Sequence, residues 1–78
     1  MDVTEDRVRN IVENVNPGAV GPDGSIEEGV LDSLDIVTLV ADFEEGFGLS
    51  IDVEHIVPDN FASLDTMAAF LKKIKDGE

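Results

Sequence analysis

Ser33 is the residue whose type and setting first suggest chemistry. It lies in GVLDSLDIVTLVADF, residues 29–43, with Asp32 before it and Asp35 two positions after, where a helical apolar pattern begins. To attack a substrate on its own account, this serine would need an ordered base and an oxyanion hole. The single histidine, His55, is twenty-two residues further on, and the Asp-Ser-Leu setting lacks the flanking glycines of a nucleophile elbow. Hydrolysis by paired carboxylates has acids to draw on. It has no aromatic-lined cleft, because the core needs all four Phe residues. DGSIEE, residues 23–28, resembles the middle of a calcium loop with Asp23 at its fifth position. That register puts Ala19, Gly21 and Val30 where oxygen ligands are required, so no metal site is expected. No catalytic residue is assigned, and the chain reads as a non-enzyme. Two readings of Ser33 remain: a helix cap, or a hydroxyl that another enzyme modifies.

The charge distribution narrows the partners. Eighteen acidic residues stand against five basic ones, a net charge of −13, and the basic residues are Arg7, Arg9, Lys72, Lys73 and Lys75. Residues 10–71 hold no Lys or Arg, so the middle of the chain carries the whole net charge. A nucleic acid or an anionic membrane surface would be repelled by it. Basic protein surfaces and divalent cations are the complementary partners. Solubility alone would explain many acids. It does not explain a middle emptied of basic residues.

The elements that must position Ser33 follow from the apolar spacing. With 78 residues, no cysteine and 42% apolar residues, the chain reads as a single domain, 1–78, with an aliphatic core and no disulfides or thiolate metal site. No apolar run reaches the length of a membrane span and MDVTEDRVRN is too polar for a signal peptide, so a soluble cytoplasmic monomer is expected. Val8, Ile11, Val12 and Val15 mark one stripe of a first helix, capped by Asp2 or Thr4 and ended at Asn16-Pro17-Gly18. Residues 16–31, with four glycines and two prolines, read as a long loop anchored by Ile26 and Leu31. A second helix is predicted from about Ser33 to Gly46, with Asp32 as N-cap and Asp35 at the third helical position. One or two helical turns over Val53 to Val57 should end at Pro58. A last helix from near Ser63 should bury Leu64, Met67, Ala68, Leu71 and Ile74. The predicted fold class is therefore all-α: a small antiparallel four-helix bundle, three main helices plus one short helix, with a long loop between helices 1 and 2.

In that frame Ser33 occupies the first turn of the second helix, exposed, where free backbone N–H groups favour an attached phosphate. Asp32, Asp35, Asp42, Glu44 and Glu45 place carboxylates along the same helix. Because Asp32 already fits the cap position, a capping role for Ser33 loses weight.

The stretch LDSLDIVTLVADFEEGFGLSI resembles the signature of acyl carrier proteins, and GSIEEGVLDSLD and PDNFASLDTMAAFL extend the resemblance over nearly the whole chain. The resemblance implies that Ser33 receives a 4′-phosphopantetheine arm from coenzyme A, and that the arm's thiol holds acyl cargo as a thioester for partner enzymes. It further implies that Asp32, Leu34 and Asp35 meet the holo-acyl-carrier-protein synthase, or phosphopantetheinyl transferase. Asp42, Glu44 and Glu45 would face acyl-loading and acyl-processing enzymes with basic docking surfaces. The pattern departs from that of carriers in general fatty acid synthesis at Thr38 and Gly46, where those usually have acids. VPDNFASLDT is closer to discrete carriers of specialised pathways. The expectation is a discrete acyl carrier protein of fatty acid, polyketide or specialised lipid metabolism. The alternatives are an aminoacyl, D-alanyl or peptidyl carrier and, in a different class, an unmodified acidic adaptor for basic partners.

Overall fold

The computed structural model describes residues 2–77. It contains three α-helices, α1 (Glu5–Val15), α2 (Ser33–Phe47) and α3 (Leu64–Lys75), with two short 3₁₀ helices, Val53–His55 and Pro58–Phe61, between α2 and α3. Each α-helix opens on a side chain able to accept from an orphan backbone amide. Thr4 Oγ1 accepts from the Arg7 amide at 3.2 Å, Asp32 Oδ1 from Asp35 at 2.9 Å, and Ser63 Oγ from Thr66 at 3.1 Å. Of the two caps expected for the first helix, Thr4 is the one used.

α1 packs against both α2 and α3. Val8 and Val12 from α1, Leu39, Phe43 and Phe47 from α2, and Leu64, Met67 and Leu71 from α3 are fully buried. Side chains of this kind stabilise by about 1.5–3 kcal/mol each when withdrawn from water, before the entropy of ordering them is counted. Phe61 and Phe70 complete the core edge to face, their ring centroids 5.5 Å apart. Among the described residues no polar or charged side chain is fully buried. Ile74, expected in the core, is half-buried instead, while Phe70, on the same helix, is buried.

The helical segment expected over Val53 to Val57 is present as a 3₁₀ helix over Val53–His55, and a second, unexpected 3₁₀ helix follows over Pro58–Phe61. Pro58 does not end the first but begins the second, at a first-turn position where its missing N–H costs nothing. Val53 is left 82% exposed, whereas Ile51 just before it is buried. His55 is half-buried and stacks on Phe70 with ring centroids 6.3 Å apart, and its carbonyl accepts from Asn60 Nδ2 at 2.7 Å.

The long connection between α1 and α2 has a definite course. Isolated antiparallel bridges join Val20 to Ile26 and Ser25 to Ser63. The Ile26 amide donates to Ala62 O, and the Leu64 amide to Gly24 O, both at 2.9 Å, so the loop is laced to the start of α3. Ile26 is buried and Leu31 half-buried, as anchors should be, and Ala19 is a third buried contact. Asp23 accepts from the Ser25 hydroxyl at 2.6 Å and from its amide at 3.1 Å, which holds its carboxyl below the usual range. Glu5 shifts the other way. A hydrogen bond to the Asp65 carboxyl, and that group's like charge, push it up.

Candidate functional site

Ser33 is the first residue of α2, and its side chain is exposed. The first N–H groups of an α-helix have no intrahelical partner; Asp32 meets that of Asp35, which leaves those of Ser33 and Leu34 to face an oxygen-rich group. Asp32 has the extended backbone of an N-cap (φ −86°, ψ −178°) and already serves the Asp35 amide. The Ser33 hydroxyl therefore carries no capping duty, and it makes no hydrogen bond among the described residues. Two of the other three serines are committed: Ser25 Oγ donates to Asp23 Oδ1, and Ser63 Oγ caps α3. Ser50 is exposed beyond the end of α2.

A cleft of about 610 Å³ opens beside Ser33, between the end of the long loop, the first turns of α2 and the segment from Ile56 through the second 3₁₀ helix. Ile26, Leu31, Ile36, Val37, Val57 and Phe61 give it apolar walls, and Ser33 itself is one of the lining residues. The cleft was not foreseen from the sequence. Its signal was there in Ile56 and Val57, apolar residues beside Pro58 in a segment with too little regular structure to need them.

The structure sorts the acidic residues expected to meet partners. Asp32 and Glu45 are exposed, and Leu34, 73% exposed, stands between Asp32 and Val37, itself 65% exposed. Asp42 is half-buried. Asp35 and Glu44 are half-buried and engaged: Asp35 Oδ2 accepts from Asn16 Nδ2 at 3.3 Å, and Glu44 Oε2 from the Ile51 amide at 2.8 Å. Glu44 thus ties down the chain leaving α2. Any partner it meets competes with, or shares, that internal bond. Asn16 had been read only as the end of α1. Its amide also reaches Val30 O at 3.1 Å, and nothing in the local sequence pattern announces that link.

An exposed, uncommitted hydroxyl at a helix start, ringed by acids and set at the mouth of an apolar cleft, suits covalent attachment of a phosphate-linked group. The chain belongs to the phosphopantetheine attachment site family, whose match spans residues 6–71. This is a carrier domain rather than a catalytic one, and it is the attachment site of the covalent 4′-phosphopantetheine prosthetic group. Phosphopantetheinyl transferases modify such domains. No curated protein and no solved structure matched the chain. Among the described residues no helix is long and apolar enough to cross a membrane.

Proposed function

We propose that the chain is an acyl carrier, with Ser33 as the residue that takes the 4′-phosphopantetheine arm. The observation that carries this reading is the uncommitted Ser33 hydroxyl at the first position of α2, opening onto the apolar cleft. In the modification, Ser33 Oγ forms a bond to the β-phosphorus of coenzyme A as the pyrophosphate P–O bond breaks. Adenosine 3′,5′-bisphosphate leaves, and the hydroxyl proton passes to a base on the transferase. The exposed Asp32 and Glu45, with Leu34 and Val37 between acids, fit a basic partner surface with an apolar centre. Apolar cleft walls favour a hydrocarbon cargo over a small charged one.

Incubation with coenzyme A, Mg²⁺ and a broad-specificity phosphopantetheinyl transferase tests the assignment by intact mass. The wild-type chain should gain one arm, and Ser33→Ala should gain none while keeping its unfolding midpoint, because Asp32 holds the cap. An unmodified wild type would leave the acidic adaptor as the surviving reading. An arm still added to Ser33→Ala would move the site to another serine. The mass of protein taken from its own cell would then distinguish an acyl cargo from an aminoacyl one.

A further inference from the structure

We infer that Asn16, at the end of α1, is a positioning residue for the modification of Ser33, an inference that rests on the reading of Ser33 given above. Every polar group of this residue that the structure shows bonded points to a fixed junction. Its backbone amide closes α1 on Val12 O at 2.9 Å, and its carbonyl accepts from the Ala19 amide at 3.0 Å as the chain turns through Pro17 and Gly18. Its side-chain nitrogen then reaches across to two segments far away in sequence: Val30 O at 3.1 Å and Asp35 Oδ2 at 3.3 Å. A carboxamide nitrogen has two N–H donors, so both are used. The opposite orientation of the amide would set its oxygen against a carbonyl and a carboxylate, so electrostatics fix the orientation.

The two acceptors lie on either side of Ser33. Val30 belongs to the approach, just after Gly29, whose φ of +87° turns the chain toward the helix. Asp35 belongs to the first turn of α2, and its own amide is held by Asp32. One side chain on α1 therefore pins both the segment entering the serine and the turn leaving it. Serine, alanine or leucine at position 16 could end α1 before Pro17, but none could reach both acceptors with two donors. Asn16 also takes up one of the acceptor sites of Asp35, and the rest of the carboxylate can still meet a basic partner.

Steady-state kinetics of modification, with carrier as the varied substrate, test the inference. Asn16→Ala removes both links without altering any charge. It should lower kcat about tenfold, well inside the roughly hundredfold that a misplacement of about 1 Å can cost. KM should stay within about twofold, because the charges that steer docking are untouched. Asn16→Asp sets a carboxylate against Asp35 and should be worse. In an Asp35→Asn background the same Asn16→Asp change regains a partner at position 35 but still faces Val30 O with a carboxylate, so its loss relative to Asp35→Asn should be smaller than the loss of Asn16→Asp relative to wild type, without vanishing. A residue that merely supports the fold would lower the unfolding midpoint while leaving kcat of the folded protein unchanged. Wild type and all Asn16 variants modified at one rate would overturn this inference alone. A wild type that takes no arm would overturn the Ser33 reading, and this inference with it.

Discussion

The two ends of α2 are built on different plans. At its start, the cap is local, with Asp32 serving the amide of Asp35 three residues away; Asn16 adds a distant tie, and the surrounding side chains Ser33, Leu34 and Val37 are exposed. At its finish, the ties are long-range. Lys75, from the end of α3, donates to Phe47 O at 2.7 Å, Glu44 accepts from Ile51, and Phe47 is 1% exposed. Gly48 closes the helix in the left-handed region (φ +68°), its amide on Glu44 O, a conformation that strains any residue with a Cβ. The start is left open to visitors, and the finish is locked to the body. A helix that must present one end to other proteins can be anchored mainly from the other, with Asn16 setting only the turn that is presented.

That contrast should be plainest in the core. Phe47→Ala removes a fully buried ring at the locked end and should destabilise by about 3–5 kcal/mol, the usual range for emptying an aromatic core site. Leu34→Ala, at the open end, should change stability by no more than about 0.5 kcal/mol, as for surface sites without special contacts. It should still slow modification by removing an apolar contact. Chemical denaturation of the two variants measures both. Comparable losses at Leu34 and Phe47 would mean that the start of α2 is also part of the core, and the division between the ends would fail.

The long-range ties come next. Lys75→Met leaves Phe47 O without its donor while keeping much of the alkyl stem, and should cost about 1 kcal/mol, the net value of one intramolecular hydrogen bond. Glu44→Ala should cost a similar amount through the Ile51 amide. Glu44→Gln, which keeps an acceptor oxygen, should cost less. These variants also separate two roles for Glu44. If Glu44→Gln weakens a partner's grip more than it weakens the fold, the carboxylate is read from outside. If the fold suffers and binding does not, Glu44 is a tie within the protein.

The same division explains what the sequence disclosed. Several local devices were legible: the cap at Asp32, the break at Pro17, the stripe of Val8 and Val12, and the setting of Ser33. They are legible because each acts within four or five residues of its partner. What sequence alone did not disclose was pairing at a distance. Asn16 with Val30 and Asp35, Lys75 with Phe47, and the loop strand laced to Ala62 and Leu64 depend on which segments meet. The resemblance likewise turned Glu44 toward partner enzymes, whereas its carboxylate accepts from the Ile51 amide within the protein. The second 3₁₀ helix was missed for a related reason. Pro58 reads as a stop in a continuing helix but as a start in a new one, and only the packing of Phe61 decides between them.

The smallest expected stability change is at the open end, and it is the one that separates capping from recognition. Asp32 has two candidate roles: its Oδ1 holds the Asp35 amide, and its charge stands beside the serine that a basic enzyme would approach. Asn caps a helix about as well as Asp, so Asp32→Asn should shift stability by only a few tenths of a kcal/mol, approximately the loss of a first-turn charge. Asp32→Ala should cost about 1 kcal/mol by leaving the amide unmet. Modification should follow a different order, with both substitutions slowing it at low ionic strength and the difference from wild type narrowing as salt is raised. Denaturation curves and transfer rates, each measured at two salt concentrations on the same three proteins, give the comparison. If Asp32→Asn is modified at the wild-type rate in low salt, the charge of Asp32 is not what the transferase reads. Its role then ends at the cap, and Glu45 and Asp35 are left as the acids that guide docking.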